Sequence, residues 1–256
     1  MRHHSIEHIV HDVSVLHHKY GADCITFADE GFLLNEEKFI HILEEIKREG
    51  ISVKYRASSR IDILQRLKPE TWDLMKKNGV IAIGTAPESG SQRMLDYMGK
   101  GITLEQVYEV DAILTKYKFF KTFNILVCTP TETIEDLKAT LLLLCNLAET
   151  SKYCPYPMGT LYKYIPLPGT SLFDDAIAKG LKQPEELEGW GLFDNIFAED
   201  VSEKRSAIRP WILDADIDFI EKATQLTDTL NHEFIGEGAD VSRIDQHIQN
   251  IKKLIE

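Results

Sequence analysis

Two adjacent carboxylates end the first strongly apolar run of the chain. Asp29 and Glu30 directly follow the run "ITFA". Two acidic side chains in this position could act as a general acid and base, could hold a metal ion, or could be the solvated end of a strand. Neighbouring side chains of a strand point to opposite faces, so the two carboxylates need not serve one site. From spacing alone the solvated strand end is the simpler interpretation, and the other two stay open.

Further polar side chains stand where other strands are predicted to end. The strand-end candidates are Asp29, Glu30, Arg56, Ser58, Arg60, Glu88, Ser89, Ser91, Thr129, Glu132 and the turn Pro168-Gly169-Thr170. Arg60 could form a local surface ion pair with Asp62, which contributes little stability. Ser89 or Ser91 could be the N-cap of a helix entered through the stretch "PESGS", and a ligand's polar group could bind at the same helix N-terminus. The structural and the functional interpretation are compatible here.

Five units of strand followed by helix would position these residues. The units begin near Asp23, Ile51, Val80, Phe123 and Thr160. Strands that alternate with helices predict a parallel sheet, and the carboxyl ends of its strands carry the functional loops. The chain begins with a helix that runs from a cap at Ser5 to Gly21, so we predict that the strand before it is missing.

The pattern changes from Leu181 onward, where loops lead to two predicted helices near residues 214–232 and 241–255. The predicted fold class is therefore α/β. Residues 1–180 would form a partial barrel, and residues 181–256 would form a helical C-terminal extension.

Composition excludes several classes of function. The formal net charge is -12, and no basic stripe is present that would neutralise the phosphates of a nucleic acid. The four cysteines show no close spacing, and the longest apolar run is too short to cross a bilayer. We expect a soluble, cytoplasmic protein that binds neither nucleic acid nor membrane.

The first eighteen residues contain six histidines, and three of them, His4, His8 and His11, share one face of the first predicted helix. A metal site is conceivable there. A terminal, exposed helix face is the simpler interpretation, however, so we predict no metal ligand.

Five motifs follow one another in an order that resembles the radical S-adenosylmethionine (SAM) enzymes, especially the group with an upstream cobalamin-binding domain. They are "FADEGF" (residues 27–32), "YRASSRID" (55–62), "ESGSQRMLDYMGKGIT" (88–103), "PTET" (130–133) and "PLPGTSLF" (166–173). The resemblance covers about the first 180 residues.

The resemblance implies a partial (β/α)6 TIM-like barrel whose open rim binds SAM beside a 4Fe-4S cluster. Three cysteines of a Cys-x-x-x-Cys-x-x-Cys loop would hold the cluster, and its reduction would cleave SAM to a 5'-deoxyadenosyl radical. The implied partners are a reductant protein, a small-molecule substrate that the sequence does not identify, and cobalamin on an upstream domain.

The resemblance also implies nine cofactor-contacting residues, which are Asp29, Glu30, Arg60, Glu88, Ser89, Ser91, Arg93, Val127 and Thr129. The first two would lie near the methionyl end of SAM, and Arg60 would close the third barrel strand. The "ESGS" residues would contact the ribose or the carboxylate of SAM, and Arg93 could bind the carboxylate through its planar guanidinium. The last two residues would flank the adenine.

Two departures from the family pattern affect the predicted activity. The 256 residues contain no Cys-x-x-x-Cys-x-x-Cys loop, and residues that are usually glycine are here Ala86, Cys128 and Thr131. We therefore expect a truncated radical SAM core that generates no radical alone, with the cluster loop supplied by an upstream domain or another chain.

Two alternatives remain open. One is a degenerate, non-catalytic barrel that acts as a binding or scaffold module. The other is an unrelated α/β-barrel lyase or hydrolase that uses Asp29, Glu30 and Glu88 directly.

Overall fold

The computed structural model describes residues 4–28, 32–152, 161–193, 209–234 and 240–256. The strands are β1 (Cys24–Phe27), β2 (Lys54–Ser58), β3 (Val80–Glu88), β4 (Phe120–Val127) and β5 (Leu161–Lys163). The helices are α1 (Ile6–Tyr20), α2 (Glu36–Arg48), α3 (Ile61–Arg66), α4 (Pro69–Lys77), α5 (Gln92–Tyr97), α6 (Leu104–Lys116), α7 (Ile134–Ser151), α8 (Ser171–Ala178), α9 (Asp214–Glu233) and α10 (Val241–Ile255). Short 3₁₀ turns cover Phe32–Leu34 and Leu187–Phe193.

The strands form one sheet in the order β1-β2-β3-β4-β5, which is also their order along the chain. β1 pairs in parallel with β2, β2 with β3, and β4 with β5. Helices follow the strands along the chain, as parallel crossovers require. The predicted α/β class with a partial, TIM-like barrel is confirmed.

The chain divides into two compact units. The first unit comprises Met1–Ala86 with Glu105–Thr122, and the second comprises Pro87–Leu104 with Phe123–Glu256. These bounds do not follow the predicted boundary at residue 180, which stays a prediction. Among the described residues, no helix combines the length and apolar character needed to cross a membrane.

Local sequence signals explain the helices of the first unit. The Ser5 hydroxyl accepts a hydrogen bond from the His8 amide at 3.2 Å, and α1 ends at Gly21, whose φ of 69° is left-handed. The apolar face of α2 is buried through Phe39, Ile42, Leu43 and Ile46. Helix α1 forms where the sequence predicts it.

The first unit also buries an ion pair. The ammonium of Lys121 lies 2.6 Å from a carboxylate oxygen of Asp111, and both side chains are almost completely buried. The same ammonium donates to the Thr115 hydroxyl at 2.8 Å. The pairing offsets the cost of taking both charges out of water, and removal of either partner would leave a buried charge.

The second unit is built around the long helix α7. Thr133 and Asp136 form a capping box at its N-terminus, in which each side chain binds the other residue's backbone amide. Ten of its eighteen residues are buried, so the helix has little solvent-facing surface. Helix α10 packs against α7 and α9 and buries Ile244, Ile248 and Ile251 along one stripe.

The turn after β3 approaches the backbone of α7 so closely that only glycine fits. A Cβ atom built on Gly90 would lie 2.6 Å from the Cα atom of Thr140 and would also overlap the carbonyl oxygen of Ala139. Backbone atoms of a buried helix cannot move aside as a flexible side chain can. The glycine in "ESGS" therefore permits the docking of this turn on α7.

We expect Gly90→Ala to destabilise the protein by about 1–3 kcal/mol or more, because the new methyl group must displace backbone. Urea denaturation measures the loss. Gly191→Ala is the matched control, since a Cβ atom there would meet nothing within 4 Å. It should change the free energy of unfolding by less than about 0.5 kcal/mol. Equal effects of the two substitutions would contradict the close approach.

Candidate functional site

The "ESGS" turn joins the carboxyl end of β3 to α5, and hydrogen bonds fix it to α7. Ser89 is completely buried, and its hydroxyl lies 3.1 Å from the Thr140 hydroxyl. The amide of Gly90 donates to the same Thr140 oxygen at 3.0 Å, and the Ser91 amide donates to the Ser89 hydroxyl at 3.1 Å. The polar groups of this turn are therefore satisfied inside the protein.

Asp136 of α7 binds three side chains of this region at once. The hydroxyl of Ser91 donates to Oδ1 at 2.6 Å, and the Thr133 hydroxyl donates to Oδ2 at 2.6 Å. Arg93 binds both oxygens, with Nε 3.2 Å from Oδ1 and Nη2 in contact with Oδ2. Such two-pronged contacts between a guanidinium and a carboxylate are strong and directional.

This arrangement fixes the charge of Asp136. Burial alone would raise the pKa of its carboxyl, but the hydrogen bonds from Arg93, Ser91 and Thr133 together hold that pKa well below its usual range. The residue is thus a carboxylate at any physiological pH. Arg93 also donates to the carbonyl of Thr131 at 2.8 Å, which attaches the loop before α7 to the turn after β3.

Ser91 corrects one detail of the sequence interpretation. It occupies the N-cap position of α5, as predicted for Ser89 or Ser91, but its side chain makes no capping hydrogen bond. Its hydroxyl donates to Asp136 instead. The charged acceptor makes this tertiary hydrogen bond strong, and it sets the orientation of the Ser91 hydroxyl.

Glu88 ends β3 in a strained backbone conformation. Its φ is 71°, a left-handed value that non-glycine residues seldom adopt. The carboxylate lies 2.5 Å from the ammonium of Lys100, and the two side chains are 19% and 29% exposed. Glu88 is thus a charged, partly accessible side chain at a strand end.

The carboxyl end of β4 contains a second strained residue. Val127 is buried, and Cys128 follows it with a φ of 64°. The amide of Cys128 donates to the carboxyl group of Glu132, which holds the loop in this shape. Cys128 lies at a position where the family that the sequence resembles usually has glycine. The left-handed φ is the physical reason for that preference, because glycine adopts it at no steric cost.

Burial raises the pKa of Glu132 to about 8, and the nearby Asp136 charge adds to the effect, while the amides of Cys128 and Thr129 oppose it. Its Oε1 makes no hydrogen bond of standard geometry, and neither does the buried hydroxyl of Thr129. Both residues line a cavity of about 40 Å³. That volume holds about one water molecule, whereas SAM-sized ligands need several hundred Å³.

The remaining predicted site residues lie elsewhere. Asp29 and Glu30 fall outside the described residues. Arg60 belongs to the first unit, where Nε donates to Asp62 at 2.8 Å in the local ion pair that the sequence suggests. Glu88, Ser89, Ser91, Arg93, Val127 and Thr129 all belong to the second unit. Their predicted contacts with SAM stay predictions.

The described cysteines do not fit a 4Fe-4S cluster. Burial raises the pKa of Cys128 to about 12 and that of Cys145 to about 11, and neither thiol is grouped with two other described cysteines as the cluster requires. Cys24, which is half-buried, is the other free cysteine that the structure describes. Within the described ranges, no group of three or more potential ligands is positioned to hold a metal ion.

Sequence reasoning missed the central position of Asp136, and it did not single out Lys100 or Arg209. The spacing of "ESGSQR" gives no sign that its serine and arginine meet a carboxylate some 45 residues later. Only the tertiary structure brings them together.

The sequence comparisons agree with the motif order. Residues 1–144 match the Radical SAM superfamily. An uncharacterized methyltransferase of Pyrococcus horikoshii is 34% identical over 182 residues, which cover 70% of this chain and 37% of that protein. The anaerobic magnesium-protoporphyrin IX monomethyl ester cyclase of Cereibacter sphaeroides is 27% identical over 161 residues, covering 60% of this chain and 26% of the cyclase.

The structural comparison gives the same fold. The radical S-adenosylmethionine methyltransferase TsrM of Kitasatospora setae, with cobalamin and [4Fe-4S] cluster bound, superposes with a TM-score of 0.56 at 13% identity. The superposition covers 98% of this chain and 55% of TsrM.

The match spans little more than a third of the methyltransferase and about a quarter of the cyclase. The hypothesis of an unrelated lyase or hydrolase is wrong, because the family match covers more than half of the 256 residues. The chain belongs to the radical SAM superfamily.

Proposed function

We propose that this chain provides the SAM-binding barrel of a radical SAM enzyme, with its cofactor contacts on the rim around the carboxyl ends of β3 and β4. Membership of the radical SAM superfamily supports SAM as the cofactor. The single observation that carries the assignment of the rim is Glu88, a strained and charged residue at the end of β3. Backbone strain of this kind costs stability and is concentrated at functional sites.

Glu88 has the chemistry to bind the ammonium group of SAM. Its carboxylate accepts from Lys100 through Oε1, so the site already accommodates an ammonium group on this side chain. The partial exposure of both side chains leaves the carboxylate accessible to a ligand. In this proposal Glu88 binds and orients the amino acid end of SAM.

Arg93 and the two serines act mainly as positioning residues. The hydroxyls of Ser89 and Ser91 are used within the protein, and Arg93 is bound to Asp136 and Thr131. The Arg93 side chain is nevertheless 51% exposed, so the guanidinium can still face a ligand carboxylate. The Asp136 contacts hold Glu88's turn and the loop after β4 in place.

When bound and reduced, a 4Fe-4S cluster supplies the electron for reductive SAM cleavage in this family. The described cysteines do not fit such a cluster, so its ligands would come from other residues of the protein or from a partner. No described residue is assigned to the cluster or to cobalamin. A reductant and an unidentified small-molecule substrate complete the proposed system.

Methyl transfer is the reaction class that we propose, on the basis of the archaeal relative that is named a methyltransferase. A SAM-binding barrel without radical chemistry is the second candidate. The buried positions of Cys128 and Cys145 favour it, because neither cysteine is grouped with other potential ligands in the described part of the chain.

We expect Glu88→Gln to weaken SAM binding by roughly tenfold or more, because the variant loses a charge-assisted contact with the ligand ammonium. Isothermal titration calorimetry on the full chain measures the dissociation constant. Glu185→Gln removes an exposed carboxylate and serves as the matched control. Unchanged affinity in Glu88→Gln, with the fold intact by circular dichroism, would contradict the proposed role.

Anaerobic reconstitution of the 256-residue chain with iron and sulfide is expected to give no stable 4Fe-4S absorption and no 5'-deoxyadenosine from SAM. The physical reason is that the described cysteines, Cys24, Cys128 and Cys145, do not meet at one site that could hold the cluster. Visible absorption and chromatography of the reaction mixture provide the two readouts. Formation of 5'-deoxyadenosine would rule out the second candidate and would require ligands among the residues not described.

The raised pKa of Glu132 predicts a pH-dependent stability. The pKa is about 8 in the folded chain, against an ordinary value of 4.5. The folded state therefore retains a proton that the unfolded state releases. The stabilisation is complete below about pH 4.5 and is lost as pH rises through about 8, at up to about 1.4 kcal/mol per pH unit.

Glu132→Gln should remove this part of the pH dependence, because the amide stays neutral. Urea denaturation of both proteins between about pH 5 and about pH 9 isolates the effect, since other titrating groups are common to the two. The unfolding free energies of the two proteins should diverge with pH. Parallel curves would show that Glu132 is ionised in the folded protein.

A further inference from the structure

Arg209 is a buried cation for which the described structure shows no counter-ion. The Arg209 residue is only 5% exposed to solvent. Nε donates to the carbonyl oxygen of Tyr164 at 3.0 Å. In the part of the chain that the structure describes, no carboxylate forms an ion pair with this guanidinium, although buried charges are normally paired.

The position of Arg209 is that of a ligand contact. Tyr164 directly follows β5, and two residues beyond Arg209 the indole of Trp211 donates to the Cys128 carbonyl at 3.1 Å, just after β4. The segment that carries Arg209 thus lies across the carboxyl ends of two strands of the second unit. Parallel α/β folds bind their ligands at this end of the sheet.

The surroundings of Arg209 combine a second cation with aromatic surface. Lys163, the last residue of β5, is 3% exposed, and its neighbour Tyr164 packs against Trp211 with ring centroids 6.1 Å apart. Trp211 itself is half-buried, so it gives the site an apolar wall. Ligand sites commonly combine such walls with a few well-placed polar groups.

The electrostatics of the two cations differ. Burial lowers the pKa of Lys163, and Arg209 adds to this effect, but Asp228 and Glu221 of α9 oppose it together with Cys128. Burial also lowers the pKa of Arg209. Among the described residues, acidic side chains thus lie near Lys163, while none forms an ion pair with the Arg209 guanidinium.

We propose that Arg209, at the carboxyl ends of β4 and β5, binds an anionic oxygen group of the substrate, either a carboxylate or a phosphate. A guanidinium offers a planar pair of donors that matches both groups, and the Tyr164 contact through Nε leaves the terminal nitrogens for the ligand. The inference rests on the proposed function only in treating the bound anion as part of the substrate.

The alternative is a structural role, in which Arg209 only holds the carbonyl of Tyr164. That role needs a single donor and would not need a buried charge, which is expensive to desolvate. It also predicts no response of the guanidinium to added anions. The two roles therefore differ in a measurable way.

The test is a titration of the full chain with inorganic phosphate and, separately, with acetate at constant ionic strength. Two-dimensional ¹H–¹⁵N spectra of the arginine Nε–H groups report on the guanidinium directly, and loss of one peak in Arg209→Lys assigns it. We expect a saturable shift of the Arg209 peak with at least one of the two anions. The exposed Arg243 is the matched control and should show only a weak, unsaturated drift.

Thermal denaturation gives an independent readout. Phosphate or acetate should raise the melting temperature of the wild-type protein in a saturable manner, and Arg209→Lys should lose most of that rise, because an ammonium lacks the planar fork. Arg243→Lys should keep it. An Arg209 peak that does not move, or that drifts in parallel with Arg243, would overturn the proposal even where both variants fold.

The preference between the two anions identifies the substrate group. A stronger effect of phosphate indicates a phosphorylated substrate, and a stronger effect of acetate indicates a carboxylic acid. Competition by SAM for the phosphate-induced shift would overturn the assignment to the substrate, since the anion would then be the SAM carboxylate. A protein that binds phosphate at Arg209 but does not bind SAM would refute the proposed function while leaving this inference intact.

Discussion

The rest of the candidate site depends on the hydrogen bonds that the Asp136 carboxylate accepts. It belongs to the first turn of α7, where it completes a capping box with Thr133, and it also accepts from Ser91 and Arg93. One carboxyl group thus connects the start of a buried helix, the turn after β3 and the loop after β4. Because four donors stabilise its ionised form, the carboxylate keeps its charge despite burial, and the connection is strong.

Two strained residues of the second unit depend on this connection. Glu88 and Cys128 adopt left-handed φ values at the carboxyl ends of β3 and β4, and each conformation costs on the order of 1–2 kcal/mol for a residue with a Cβ atom. The adjacent turn and loop are held by hydrogen bonds to Ser89, Asp136 and Glu132, so the chain cannot relax locally. A further left-handed residue, Lys118, occupies an ordinary turn before β4, where no ligand chemistry is expected.

The fold could be predicted from the sequence because its signals are local. Caps at Ser5, Asn35 and Thr133 and a left-handed glycine at Gly21 mark helix ends, and the apolar runs between them mark strands. The site was less predictable, because its contacts join residues that are far apart in sequence. Asp136 meets Ser91 and Arg93 across more than forty positions, and the burial that raises the pKa of Glu132 follows from tertiary packing alone.

The site therefore combines residues of two kinds. Ser89, Ser91 and Asp136 satisfy one another, and a change in any of them would act through the shape of the turn and not through a lost ligand contact. Glu88 and Arg209 are different, because each carries a cost that its described contacts do not offset, in backbone strain for Glu88 and in desolvated charge for Arg209. Ligand binding offsets such costs directly, since a bound ammonium or anion supplies the missing interaction energy. The uncompensated residues, and not the fully hydrogen-bonded ones, thus mark where a cofactor and a substrate would contact this barrel.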